Sequence, residues 1–231
     1  MSTFHLLAFV VYPYLVIAIF FGGHAYRYMT DLYHWNSGSS ELLDKGSLRY
    51  GITLFHWGII FTFFGHFFGL LTPQRFLDRI GISAAFHEMV AIYTGMVFGA
   101  LAAIGLILLL LRRVQVRKIA ATSTPNDMVV LVLLLIVVAL GTFNTYFVRF
   151  DVVGTIAPWI QSIVALNPKP ELMEPVPFSY KVHILAALAL LAYSPFSRLV
   201  HIWSAPVQYL ARKYLVFRTR QPVFGRAASG E

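Results

Sequence analysis

The chain has 231 residues, 58% of them hydrophobic and only 12% charged, with a formal net charge of +8 and no cysteine. Apolar residues in blocks long enough to cross a bilayer exclude an ordinary soluble domain and point to an all-α integral membrane bundle. The missing cysteine excludes disulfides, cysteine-held iron–sulfur clusters and covalently attached c-type haem. The basic residues lie between apolar blocks and near the C-terminus, which reads as membrane topology rather than a nucleic-acid footprint.

In chain order, five transmembrane helices are predicted at about 4–26, 52–71, 86–111, 128–147 and 179–199, each close to the length that spans about 30 Å of hydrocarbon. A tail follows at about 200–231, and residues 1–231 read as a single domain without internal repeats. The first block has no basic leader and no small-residue cleavage site, so it reads as a retained helix. Between the fourth and fifth spans, Pro158, Pro168, Pro170, Pro175 and Pro177 rule out a regular helix over the second half of the connection. Its first half, around Ile156 to Leu166 with Trp159, is expected to lie along the membrane interface as an amphipathic segment.

Thirteen of the eighteen lysines and arginines fall on one side of this arrangement and five on the other. The positive-inside bias then predicts an N-terminus outside and a C-terminal tail in the cytoplasm of a prokaryotic cytoplasmic membrane. The tail from Trp203 to Arg220 interleaves apolar residues with Arg212, Lys213, Arg218 and Arg220, a pattern suited to anionic lipid or to a partner subunit.

Four histidines carry the functional signal: His56 and His66 on the second span, His183 and His201 on or just beyond the fifth. A polar ring in hydrocarbon needs a partner, and two imidazoles from each of two helices supply two metal centres with two axial ligands each. Antiparallel helices pair the outer His66 with His183 and the inner His56 with His201. The spacings conflict, however. Ten residues between His56 and His66 rise about 15 Å, whereas eighteen between His183 and His201 rise about 27 Å on a straight helix. Pro195 is the place where that helix can kink or end.

Gly51, Gly58 and Gly65 recur every seven residues and give the second span a stripe without side chains. Close backbone approach to a flat macrocycle and small-residue helix packing both use such a stripe. His87, near His66 in depth, is a candidate for a substrate pocket, while His5, His24 and His34 have ordinary roles. Arg112, Arg113 and Arg198 lie at the depth of the inner centre, where they would pair with anionic groups or simply report topology.

The chain resembles the cytochrome b (gamma) subunit of the membrane-bound respiratory nitrate reductases. The resemblance runs nearly end to end and rests on YPY at 12–14, RYGITLFHWGI at 49–59, FFGHFFGLLTP at 63–73 and SPFSRLVHIWSAPVQYLARKY at 194–214. It implies two haem b groups: a distal one on His66 and His183 near the outer face, and a proximal one on His56 and His201 near the cytoplasm. Gly58, Gly65, Arg112 and Arg198 are expected around them. It further implies oxidation of menaquinol or ubiquinol near the distal haem, with electrons passing inward to an iron–sulfur beta subunit and a molybdenum-containing alpha subunit. Nitrate reduction itself would belong to the alpha subunit. Where family members can carry a lysine at the start of the third helix, this chain reads SAAFHEM at 83–89, which makes His87 the candidate at the quinol pocket. The cytochrome b subunit of a related sulfur-cycle or heterodisulfide-type complex is the alternative. A histidine-lined transporter is disfavoured by the lack of intramembrane carboxylates and broken repeats, and a purely structural anchor predicts a colourless protein.

Overall fold

The computed structural model describes residues 3–31, 34–35 and 46–204. All regular structure among them is helical. Four helices are long and apolar enough to cross a membrane: α1 (Thr3–Thr30), α2 (Gly46–Leu71), α3 (Ala84–Gln115) and α4 (Pro125–Val148). Two shorter helices follow, α5 (Ile156–Val164) and α6 (Phe178–Tyr193). The tail from residue 205 onward lies outside the described residues, and so does most of its expected lipid- or subunit-facing surface.

Local sequence explains the boundaries. α3 starts at Ser83, whose hydroxyl accepts from the Phe86 amide. α4 starts with a capping box in which Thr124 and Asp127 satisfy each other's backbone amides, followed by Pro125 at the first helical position. Both α1 and α4 contain a π-helical stretch, at Leu7–Val11 and Asn144–Val148.

The expected fifth helix at about 179–199 is shorter in the structure. α6 stops at Tyr193 after 16 residues, about 24 Å of rise. Pro195 follows, and the chain continues as two 3₁₀ turns, Ser194–Phe196 and Arg198–Ser204. Arg27 of α1 braces this turn by donating from Nη1 to the carbonyls of Pro195 (2.7 Å) and Ser197 (2.9 Å). Gly23 makes the approach possible, because an added Cβ would lie 2.9 Å from the Pro195 ring.

The helices pack in an open order. α2 lies along α3, α3 against α4, α4 against α6, and α6 against α1. One apolar core, formed by Ala102, Leu106, Val130, Leu134 and Val138, joins α3 to α4. The other belongs to α5, which buries Ile156, Trp159 and Ile163 against Phe9, Met173 and Val176. Trp159 also donates from its indole to the Phe9 carbonyl at 3.0 Å. The apolar face expected on this amphipathic segment is covered by protein, with Phe9 in the π-helical stretch of α1 as a partner. The proline-rich half that follows forms only a 3₁₀ turn at Pro170–Met173.

Candidate functional site: two facing histidine pairs

His56 and His66 stand on α2, and His183 stands on α6, while His201 sits in the 3₁₀ turn beyond Pro195. The structure brings His66 to His183, ring centroids 6.4 Å apart, and His56 to His201 at 6.3 Å. The conflict of rises disappears because α6 ends early. From His183 to Tyr193 is ten helical residues, the same run as from His56 to His66, and the remaining residues turn across the bundle instead of along it.

All four rings are oriented the same way, with Nδ1 bonded to a backbone carbonyl. His56 donates to Ile52 O (2.8 Å), His66 to Thr62 O (2.8 Å), His183 to Val137 O (3.0 Å) and His201 to Arg198 O (2.6 Å). A carbonyl can only accept, so each ring holds its proton on Nδ1 and keeps the Nε2 lone pair for another partner. This is the second-shell arrangement that fixes metal-ligating histidines. The spacing fits too. Two nitrogens each about 2.0 Å from a shared metal, with about 1.1 Å from nitrogen to ring centre, put the centroids about 6.2 Å apart.

α2, which carries His56 and His66, packs along α3, while α6 packs on α4 and α1. Among the described residues no three or more histidine and carboxylate groups converge, so two-imidazole pairs are the arrangement these residues offer. They fit a flat group ligated from both faces.

The glycine stripe on α2 divides into two roles. An added Cβ at Gly58 would collide with the backbone of Ala102 and Phe98, and one at Gly51 would press on Leu109. Gly58 therefore lets α2 pack closely on α3. Among the described residues nothing lies within 4 Å of an added Cβ at Gly65, next to His66.

The arginines are placed as follows. Arg112 and Arg113 are buried in the last turn of α3. Asp127 at the start of α4 takes Arg113 at 3.1 Å and Arg198 at 2.9 Å. Arg198, expected beside an anionic cofactor group, has its guanidinium on a carboxylate of the protein, and its carbonyl holds His201. His87 is half-buried near the other pair. Its Nδ1 bonds Gln74 Oε1 at 3.1 Å, and its Nε2 lies 3.5 Å from where a Cβ would sit on Gly69. A shallow pocket close by in sequence, about 290 Å³, is lined by Glu88, Met89, Tyr93 and Arg149. His24 bonds Phe20 O and accepts from the Trp203 indole, and His34 bonds Asp31.

Gly141 was not legible as part of the site. An added Cβ there would lie 2.9 Å from His183 Cε1, so the imidazole rests on the bare backbone of α4. In sequence this residue is one glycine among apolar neighbours, with nothing to mark it.

A family model described as nitrate reductase gamma subunit matches residues 5–220. The nitrate reductase gamma chain of Bacillus subtilis (strain 168) is 41% identical over 214 residues, covering 91% of this chain and 96% of that one. The respiratory nitrate reductase 1 gamma chain of Escherichia coli (strain K12) is 36% identical over 225 residues, covering 95% and 100%. A more distant relative is the Hdr-like menaquinol oxidoreductase cytochrome b-like subunit of Archaeoglobus fulgidus, 30% identical over 154 residues, 64% of this chain and 45% of that one.

Proposed function

This chain belongs to the nitrate reductase gamma subunit family, and on that premise we propose that it is the dihaem cytochrome b subunit that anchors a respiratory nitrate reductase and oxidises quinol. The observation that carries the reading is the two pairs of facing histidine rings, 6.4 and 6.3 Å apart, each with Nδ1 on a backbone carbonyl. His66 and His183 would hold the distal haem b, and His56 and His201 the proximal one. A haem iron with both axial positions filled by imidazole supplies one-electron transfer and leaves no open position for bond chemistry. The protein's part is to hold the rings: four backbone carbonyls accept from Nδ1, fix each ring's orientation and leave Nε2 as the nitrogen that would bind iron. Gly65 keeps the wall beside His66 free of a side chain.

In the proposed topology the fifth crossing is α6 together with the 3₁₀ turns after Pro195, the His66 end faces outward and the His56 end faces the cytoplasm. His87, braced by Gln74 near the outer end, would accept a hydrogen bond or proton from quinol through Nε2. Oxidation of each quinol to quinone would release two protons on the outer side, while its two electrons pass one at a time to an iron–sulfur beta subunit and a molybdenum-containing alpha subunit on the inner side. The quinol would be menaquinol or ubiquinol. The sulfur-cycle or heterodisulfide-type alternative has weaker support, because the Hdr-like relative covers only 64% of this chain whereas the gamma chains cover over nine-tenths.

Haem stoichiometry tests the reading. Purified protein is expected to show b-type reduced-minus-oxidised absorbance with two haems per chain. A folded, colourless preparation would overturn it.

A further inference from the structure

α4 contributes no histidine, yet His183 bonds it directly and His201 is tied to it through Arg198. At one contact Val137 O accepts from His183 Nδ1 at 3.0 Å. In an α-helix that carbonyl points toward residue 141, so any side chain at 141 would screen it from a neighbouring helix. Gly141 leaves it bare, and an added Cβ would sit 2.9 Å from Cε1, 3.4 Å from Nδ1 and 3.5 Å from Nε2 of the His183 ring.

Nearer its start, α4 holds the segment carrying His201. Asn126 donates to Phe196 O and accepts from the Tyr193 hydroxyl, both at 2.8 Å. Asp127 binds Arg198 Nε at 2.9 Å, and the carbonyl of that same Arg198 accepts from His201 Nδ1 at 2.6 Å. Arg113 on the other Asp127 oxygen, at 3.1 Å, ties the arrangement back to α3. A carboxylate in the first turn is also where the helix dipole favours one. The short turn that carries His201 is thus tied to α4 through Asn126 and Asp127, beside the brace that Arg27 of α1 supplies.

We infer that α4 is the positioning element for both C-terminal axial histidines, with Gly141 setting the ring of His183 and Asp127 setting that of His201 through Arg198. The inference rests on the dihaem reading above. Second-shell hydrogen bonds fix ring orientation and ligand basicity, so a change at either point of α4 acts on one centre and spares the other.

The test uses the full chain in its complex, with low-spin haem EPR spectra and redox titration of each b-type signal. The signal absent from His66→Ala identifies the centre served by His183. Gly141→Ala is expected to shift that signal alone, with about tenfold weaker retention of that haem. Asp127→Asn is expected to shift only the other. Asp127→Glu keeps the charge and is expected to move the same signal while assembly is intact. Leu134→Ala, a packing change on the same helix, is expected to move neither. Two wild-type signals that stay unchanged in Gly141→Ala or in both Asp127 variants overturn the inference. So does a shift in both signals at once, or an equal shift in Leu134→Ala. A wild-type protein without haem overturns the dihaem reading instead.

Discussion

At the scale of single residues, a histidine in hydrocarbon is legible because an unpartnered ring there is costly, and four on two apolar segments are hard to explain as isolated events. The ring environments were not legible. Nothing in the letters around His183 says that its Nδ1 crosses to Val137 on another helix. Two expectations belong here. His66→Ala and His183→Ala should each remove the same haem and leave the other, as read from spectral loss; losses of different haems would break the proposed pairing. His87→Ala should slow quinol-linked turnover about 100-fold, the lower end of what a positioned acid–base group contributes, with haem content unchanged. Wild-type turnover would retire His87 from the quinol site.

At the scale of elements, periodicity located the long helices but misjudged what their faces do. The heptad Gly51–Gly58–Gly65 looks like one stripe with one role, and the structure gives it two. α2 meets α3 at Gly51 and Gly58, and among the described residues no neighbouring atom lies near Gly65. The variants Gly58→Val and Gly65→Val should therefore differ. The first forces the backbones of α2 and α3 apart and should lower thermal stability by roughly 1–3 kcal/mol, the usual range for overpacking. The second should leave folding intact and deplete the haem beside His66. Equal effects on melting temperature would show that both glycines serve packing. α5 teaches the same lesson. Its amphipathic pattern announced a buried face without saying whether lipid or protein would bury it, and Trp159 settles the matter by bonding Phe9 O. Trp159→Phe should cost about 1–2 kcal/mol in a melt, since it leaves a buried carbonyl without its donor.

At the scale of the whole molecule, the proposed arrangement separates quinol oxidation from electron delivery across the membrane. Turnover in sealed vesicles with the complex in its native orientation should therefore build a potential, negative inside, read by a potential-sensitive dye. Electroneutral turnover would reverse the proposed sidedness. The imidazoles come from α2, which packs along α3, and from α6 and the turn beyond it, which pack on α4 and α1, so each half of a pair is held by a different neighbour.

Composition, the run lengths of apolar residues and the four embedded histidines were enough to establish an all-helical membrane protein and to single out the candidate ligands, because hydrocarbon imposes those costs residue by residue. Tertiary structure decided what depends on distance between elements. α6 ends at Tyr193, and Arg27 and Asp127 hold the turn after Pro195 so that His201 comes level with His56. It also decided that Arg198 faces a carboxylate and that Gly141 makes room for an imidazole. Such facts are set by which backbone lies beside which, and a one-dimensional pattern does not carry them.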